Sequence, residues 1–395
     1  MRTPVVLICG QGDADGVAEV LAGASGAVVV RHTYDGQVVV RSVTTGGQTS
    51  EWPLELVRGC VACTVRNDLL VLLRRLHRRA DVNRIAVHLM PWLEPEPVCW
   101  AIENVRVRVG PGYVDGPAAR DVCIHAVVTC VDARGWLEQA VGEDYLDDGR
   151  TVAQVVVAQA EFADALVLSE PHAQTLKVLR RLAPRARLTV GAGRVEVALA
   201  NLEPESRRGR SDSPHGPLLA GQPSLDADGD VGLLLFSARR PFHPERLHAA
   251  LDVLLDGVVR TRGRLWLANR FDDVMWLESA GGGMRFEYAG RWLAAMSAGE
   301  QVYADPHRVA LAAADWDDRL GDRHVSITVL VCGAEPEEIV DALRTALLTD
   351  EEWSRPGEWP SYPDPFGDWH EDPCDTGAEL ASDMGATSFD GEDRT

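Results

Sequence analysis

The stretch Val5-Val-Leu-Ile-Cys-Gly-Gln-Gly-Asp-Ala-Asp-Gly-Val17 joins an uninterrupted apolar run to a glycine-rich turn and the start of a helix. A strand that is apolar at every position has both faces covered, which is typical of a parallel sheet. The helix that residues 17–21 open is suited to cover one of those faces. This order of strand, turn and helix predicts an α/β fold.

The same alternation continues through the first half of the chain. An apolar face of five leucines predicts a helix over residues 67–79, with Arg74, Arg75, Arg78 and Arg79 outside that face. Further apolar runs predict strands at residues 27–31, 38–40, 85–89, 126–130 and 165–168. We therefore expect a doubly wound parallel sheet with helices on both faces.

Composition divides the chain into two domains, a linker and a tail. Residues 203–228 are rich in proline and glycine and contain a cluster of arginines, so they favour neither a helix nor a strand. We predict a first domain at residues 1–202, a linker at 203–228 and a smaller α+β domain at 229–349. We expect residues 350–395, which are acidic and contain proline and tryptophan, to form a docking segment and a partly disordered tail.

Charge and cysteine usage exclude several classes of protein. A formal charge of −21 argues against a broad DNA- or RNA-binding face and favours a basic protein partner. The eight cysteines show no regular spacing, which favours reduced thiols in the cytoplasm over a disulfide framework. Apolar runs are too short to span a bilayer, so we expect a soluble cytoplasmic protein without a membrane partner.

The stretch Gly59-Cys-Val-Ala-Cys-Thr-Val-Arg-Asn-Asp-Leu69 resembles the cysteine motif of the CobW-type metallochaperone GTPases, in which the pattern is Gly-Cys-x-Cys-Cys-Thr-x-Arg-x-Asp-Leu. Seven positions match, and Ala62 replaces the middle cysteine. Residues 242–248 and 257–269 resemble the C-terminal domain of the same family. The resemblance implies a P-loop-NTPase-like first domain followed by a CobW C-terminal domain.

The nucleotide motifs of that family are altered in this chain. A phosphate-binding loop requires Gly-x-x-x-x-Gly-Lys-[Ser/Thr], but Asp15 stands at the second glycine, Gly16 at the lysine and Val17 at the hydroxyl. Asp13 and Asp15 would repel a triphosphate, or they would simply cap the following helix. We therefore expect the fold to persist without GTP hydrolysis, and the altered loop disfavours GTP and magnesium as ligands; the remaining candidate nucleotide-binding residues are Gly10, Gly12, Gly16 and Asp132.

Two further motifs have changed, and no other catalytic set replaces them. The family's Glu-x-x-Gly-x-x-x-Pro has become His88-Leu-Met-Pro-Trp-Leu-Glu-Pro95, and its guanine-reading Asn-Lys-x-Asp has become Ser169-Glu-Pro-His172. The chain contains no Gly-x-Ser-x-Gly or His-Glu-x-x-His motif. We predict no catalytic residues.

Cys60 and Cys63 form the strongest candidate metal site. Two thiolates at this spacing are a common zinc half-site, and the missing ligands would come from His88, Cys9 or Cys130. The same spacing also fits two structural thiols or a redox pair. Weak zinc binding is therefore one of three interpretations.

Five further stretches, at residues 68–79, 91–95, 98–102, 236–244 and 364–370, carry a more specific resemblance. They most resemble a branch of the family that recruits a protein Y-type ribosome hibernation factor to ribosomes under zinc limitation. It implies a non-hydrolysing adaptor whose partners are the hibernation factor and the ribosome, and which stabilises inactive ribosomes. An acidic chain can bind a basic ribosomal partner through charge complementarity. The basic helix face at residues 74–79 is either a contact with ribosomal RNA or a solvated surface. The alternative is a zinc or cobalt metallochaperone with GTP-dependent transfer.

Overall fold

The computed structural model describes residues 1–57, 59–219 and 221–367, which form two sheets with their own helices. The first sheet contains eight strands. They are β1 (Thr3–Gly10), β2 (Ala27–Tyr34), β3 (Val39–Thr45), β4 (Gln48–Leu54), β5 (Arg84–His88), β6 (Val122–Val131), β7 (Ala165–Leu168) and β8 (Arg187–Val190). Their order is β4-β3-β2-β5-β1-β6-β7-β8, and all neighbours are parallel except β2 with β3 and β3 with β4.

Seven helices accompany this sheet in the described part of the chain: α1 (Ala14–Ala22), α2 (Val61–His77), α3 (Pro95–Asn104), α4 (Trp136–Val141), α5 (Val152–Glu161), α6 (Ala173–Leu182) and α7 (Val195–Ala200). Val6 and Ile8 of β1 pack with α1 and α7, whereas Val5 and Leu7 pack with α2 and α3. Because β1 is covered on both faces, each of its central residues is apolar. The predicted P-loop-like α/β fold is confirmed.

The second sheet is entirely antiparallel and has five strands: β9 (Val231–Ala238), β10 (Val258–Leu267), β11 (Arg270–Ala280), β12 (Gly283–Arg291) and β13 (Val325–Cys332). Its order is β12-β11-β10-β13-β9. The helices that follow the seven above are α8 (Pro244–Ala250), α9 (Ala298–Gln301), α10 (Pro306–Ala314), α11 (Pro336–Ala346) and α12 (Asp350–Trp353). Trp266 and Trp292 are 0% and 1% exposed, so they lie in the core of this domain.

The two domains meet through an apolar contact bordered by ion pairs. Val157 of α5 and Leu179 of α6 share one core cluster with Val259 of β10 and Leu330 of β13. At the border, the carboxylate of Glu161 lies 2.9 Å from guanidinium nitrogens of both Arg260 and Arg262. Burial alone raises the pKa of Glu161, but the two guanidinium groups outweigh it and lower the pKa to about 2.

The segment between the domains lies against both of them. In its described part, residues 203–228 contain no helix or strand. The backbone N–H of Arg208 donates to the carboxylate of Asp164 at 2.8 Å, and Arg264 of β10 donates to the carbonyl oxygens of Pro214 and Gly216. The linker is therefore fixed by hydrogen bonds to each domain.

The arginine-rich helix differs from the prediction. It extends over Val61–His77 rather than residues 67–79. Arg74 is 2% exposed and donates to Asp121 at 2.7 Å and to the carbonyl oxygens of Val114 and Gly116. Placing Arg74 on a basic outer face was therefore wrong, because a carboxylate far along the chain pairs with it inside the fold.

The beginning of the predicted tail is also a packed element. Residues 350–353 form α12, and the rings of Trp353 and Trp359 stack with centroids 5.2 Å apart. Phe366 stacks on Phe286 of β12 at 4.3 Å. The expectation of a docking segment and disordered tail was wrong for residues 350–367, where aromatic contacts attach the chain to the second sheet; residues 368–395 lie outside the described residues.

We predict that Glu161→Gln lowers the free energy of unfolding by about 3–5 kcal/mol at pH 7, because Arg260 and Arg262 lose a buried counter-charge. The folded-state pKa of about 2 lies below the ordinary value of 4.5. The contribution of Glu161 is therefore complete above the ordinary pKa and disappears as the pH falls through the interval between the two values. Urea denaturation at several pH values measures the difference.

Glu205→Gln is the matched control, because Glu205 is exposed in the linker. Equal stability of the Glu161 variant and this control at neutral pH would contradict the role of the ion pairs.

Candidate functional site

The loop after β1 lies unusually close to β6. Gly10 has a φ of +103°, and a Cβ atom there would lie 2.1 Å from the carbonyl oxygen of Cys130. A Cβ atom at Gly12 would lie 2.7 Å from backbone atoms of Val131. The N–H of Gly12 donates to the carbonyl oxygen of Cys130 at 2.9 Å, so this amide is already bonded. Only glycine fits at these two positions.

The two acidic residues of the loop have different roles. Asp13 caps α1 and accepts a hydrogen bond from the N–H of Gly16 at 2.9 Å, which confirms the capping interpretation for this residue. The carboxylate of Asp15 accepts from Arg31 of β2 at 2.5 Å and lies 3.7 Å from Nδ1 of His88 of β5. An internal ion pair therefore lies at the carboxyl edge of the sheet, beside the loop.

His88 is predominantly neutral at physiological pH in this environment. Burial lowers its pKa most, the charge of Arg31 lowers it further, and Asp15 partly opposes both effects. Arg31 lies close to His88 because the carboxyl ends of β2 and β5 are adjacent, and the two residues are paired in register.

Residues of the other altered nucleotide motifs form hydrogen bonds within the first domain. The carboxylate of Glu94 accepts from Arg150 at 2.6 Å immediately before α3. The hydroxyl of Ser169 accepts from the N–H of Ala133 at 3.1 Å, and the ring of His172 caps α6. Asp132 directly follows β6, next to this contact, and its carbonyl oxygen accepts from Trp136 at the start of α4. These residues connect strand ends to helix starts.

Cys60 and Cys63 lie at the N-terminus of α2. Cys60 is the N-cap residue, and its Sγ accepts from the N–H of Cys63 at 3.1 Å. Both residues are partly exposed. Because the N-terminus of a helix favours negative charge, this position suits thiolates that bind a cation.

Two other residues of the cysteine motif attach α2 to its surroundings. The buried hydroxyl of Thr64 donates to the carbonyl oxygen of Cys60 and accepts from the N–H of Val57, each at 2.8 Å. The carboxylate of Asp68, one turn later, accepts from His32 at 2.8 Å and from Arg41 at 2.7 Å. The Cys60 end of α2 is thus fixed to the preceding loop and to β2 and β3.

The proposed additional metal ligands do not join the cysteine pair. Cys9 and Cys130 are buried and point to opposite faces of the sheet, since they belong to different core clusters. Burial raises the pKa of Cys9 to about 12, although a hydrogen bond with Thr129 opposes this shift. His88 lies with Asp15 on the α1 face. Nominating these three as ligands was therefore wrong.

Within residues 1–57, 59–219 and 221–367, no group of three His, Cys, Asp or Glu side chains is arranged to hold a metal ion. Cys60 and Cys63 are therefore at most a half-site in this conformation.

Two histidines of the second domain contact aromatic rings. His243 stacks on Tyr362, and His248 lies against Phe366.

Sequence reasoning missed Arg31, His32 and Arg41. A signal was present, because Arg31 and His32 interrupt the apolar pattern of a strand whose preceding residues are all apolar. Neighbouring strand residues point to opposite faces, so Arg31 reaches α1 while His32 reaches α2. The partners themselves were not apparent, because they are far away in sequence.

No helix in the described part of the chain combines the length and apolar character needed to span a bilayer.

Comparison with known proteins identifies two family models. Residues 18–186 match the model described as CobW/HypB/UreG, nucleotide-binding domain, and residues 231–347 match the cobalamin synthesis protein cobW C-terminal domain. The first match begins after the loop formed by residues 10–17.

Similar proteins and structures carry related names. A Mycobacterium tuberculosis protein named zinc chaperone Rv0106 is 61% identical over 398 residues, covering 100% of both chains. The zinc-regulated GTPase metalloprotein activator 1 of Dictyostelium discoideum is 24% identical over 80% of this chain and 70% of its own length. The solved Zn(II)-bound YjiA GTPase from E. coli is 15% identical, covers 88% of this chain and 99% of its own, and has a TM-score of 0.39.

We predict that the pKa of His88 responds in opposite directions to its two charged neighbours. Arg31→Gln should raise it, because a cation that disfavours protonation is removed, and Asp15→Asn should lower it further. Histidine titration by NMR measures both changes. An Arg31→Gln variant whose His88 titrates at a lower pH than the parent would contradict the geometry.

Proposed function

The chain belongs to the CobW family, and on that premise we propose that it carries Zn²⁺ as a cargo on the thiolates of Cys60 and Cys63. The observation that carries the proposal is the position of these partly exposed thiols at the N-terminus of α2. The full-length similarity to a relative named zinc chaperone supports the choice of metal.

An incomplete site suits a protein that passes its metal on. Zinc usually has four protein ligands in structural sites, which hold it permanently. Two thiolates leave coordination positions for water or for the ligands of a receiving protein. The contacts of Thr64 and Asp68 keep the supporting helix in place while metal enters or leaves.

GTP is a further ligand in this proposal. The match of residues 18–186 to a nucleotide-binding domain supports it. As the loop is folded, the N–H groups of Gly12 and Gly16 are bonded internally and Asp15 neutralises Arg31. A triphosphate must therefore displace Asp15 from Arg31, and the freed guanidinium is then available to a phosphate.

A second candidate function is the nucleotide-independent recruitment of a protein Y-type hibernation factor to ribosomes. The ion pair between Asp15 and Arg31 favours it, because a loop that needs no nucleotide can retain a carboxylate at this edge. The net charge of −21 is complementary to a basic ribosomal partner.

We predict that the reduced protein binds one zinc ion per chain and that the double substitution Cys60→Ser and Cys63→Ser weakens binding by about tenfold or more, since thiolates are the preferred ligands. Serine is a good N-cap residue, so α2 should keep its start. Competition with a chromophoric chelator measures the affinity.

The matched control replaces Cys123 and Cys332, which are also partly exposed but lie at the ends of β6 and β13. Equal zinc affinity in the Cys60/Cys63 variant and the parent would refute the proposed site.

The two candidate functions predict different results in a second experiment. The zinc carrier should bind GTP with magnesium in a calorimetric titration, and Arg31→Gln should weaken this binding because a phosphate contact is lost. The adaptor should instead capture ribosomes and a hibernation factor from extract of zinc-starved cells without nucleotide. Capture that fails in the parent protein argues against the adaptor, and absent GTP binding argues against the nucleotide step.

A further inference from the structure

A pocket of about 390 Å³ lies in the second domain, beside the linker. Its wall consists of residues from three segments: Ser213 and His215 of the linker, Arg291 at the end of β12, and Met296, Glu300, Tyr303, Ala304, Asp305 and Arg308 in and around α9 and the start of α10. A volume of this size falls in the range of small-molecule sites, which begins at about 300 Å³. No part of the metal or nucleotide sites described above contributes to it.

Two arginines, Arg291 and Arg308, and two carboxylates, Glu300 and Asp305, line this pocket. Arg308 donates to the carbonyl oxygen of Arg291, and Arg264 donates to the carbonyl oxygens of Pro214 and Gly216. Within the described residues, neither guanidinium has a carboxylate within 4.0 Å. Burial, followed by the nearby charge of Arg308, lowers the pKa of Arg264 to about 10. More distant carboxylates, Asp315 for Arg264 and Asp322 for Arg308, partly oppose the lowering of these pKa values.

The guanidinium of Arg291 lines the pocket and makes only long ion pairs. Its nearest carboxylates, Glu300 at 3.7 Å and Asp272 at 3.9 Å, are too distant for hydrogen bonds. The two carboxylates of the wall already cap helices: Glu300 accepts from the N–H of Ser297 at 2.7 Å and Asp305 from the N–H of His307 at 2.8 Å. Each of these carboxylates is thus held at a helix start, and neither makes a hydrogen bond to Arg291 or Arg308.

Two more groups complete the lining. The ring of His215 lies 2.9 Å from the carbonyl oxygen of Ala289, to which Nε2–H can donate, so Nδ1 remains available as an acceptor. Burial lowers the pKa of His215 to about 4, so the ring is neutral at physiological pH. Tyr303 is 91% exposed at the rim, where its ring is available to contact a planar group.

We propose that this pocket binds the phosphate group of a small organic phosphate through Arg291 and Arg308, with Tyr303 against the organic part. A dianionic phosphate matches the fork of an arginine guanidinium and neutralises more charge than one carboxylate. Arg264 lies behind the pocket and adds to the positive potential.

Ligand binding would also fix the linker. Ser213 and His215 alternate with Pro214 and Gly216, whose carbonyl oxygens Arg264 binds, while Arg308 belongs to α10 of the second domain. A bound phosphate therefore connects the linker to the second domain and stabilises this part of the interface between domains.

The test uses the full chain with 5′-AMP and inorganic phosphate as probes in calorimetric titrations. We expect saturable binding of 5′-AMP, weaker binding of phosphate, and a loss of about tenfold or more in Arg308→Gln, because a charge-assisted hydrogen bond is removed. Arg319→Gln is the matched control, since Arg319 is an exposed arginine of the same domain outside the pocket.

Arg308→Gln also removes a hydrogen bond to the backbone, so Arg291→Gln provides a second variant if the first does not fold. Tyr303→Ser should weaken 5′-AMP binding and leave phosphate binding unchanged. The proposal would be overturned if 5′-AMP showed no saturable binding at concentrations up to about 10 mM, because any remaining affinity would then be very weak. So would binding that both arginine variants retain, or binding that Arg31→Gln alone abolishes, because the probe would then occupy the first domain.

Discussion

The loop that contains Gly10 and Gly12 lies very close to β6, and this contact determines the geometry of the carboxyl edge of the first sheet. Gly10 and Gly12 leave no room for a Cβ atom against Cys130 and Val131, so the chain turns where only glycine can follow. The turn directs Asp13 onto the start of α1 and brings Asp15 to Arg31. The two glycines thus fix the backbone path of the loop, while the N–H groups of Gly12 and Gly16 and the carboxylates of Asp13 and Asp15 have partners within the protein.

The strand β2 connects this loop to the cysteine helix. Arg31 bonds to Asp15 on one face of the sheet, and the next residue, His32, bonds to Asp68 on the other. Because neighbouring residues of a strand point in opposite directions, a single strand carries both contacts. The sheet therefore provides a short physical connection between the edge where a nucleotide would bind and the helix that carries the thiols.

Local sequence patterns were sufficient to predict part of the structure. The contacts that were missed join residues far apart in the chain. The apolar run of residues 5–9 predicted β1, and the leucine periodicity predicted the existence of α2, although the helix begins at Val61 rather than at residue 67. Arg74 was misplaced because its partner Asp121 lies 47 residues away. The packing of residues 350–367 was missed because it depends on a few aromatic rings in a polar segment. Cys9 and Cys130 were wrongly chosen as metal ligands because the sequence of a fully apolar strand does not specify which face each residue occupies.

The replacement of the middle cysteine by Ala62 changes what the cysteine motif can do. Residue 62 is exposed on the first turn of α2, between two cysteines whose positions are set by the helix cap. A third thiolate there would bring the site closer to the four ligands with which proteins retain zinc. In the proposed zinc carrier, Cys60 and Cys63 alone would retain the metal less tightly, and a receiving protein could add its own ligands before the first two dissociate. The alanine would then favour exchange of the metal over storage, while the contacts of Thr64 and Asp68 fix the helix that carries the two thiols.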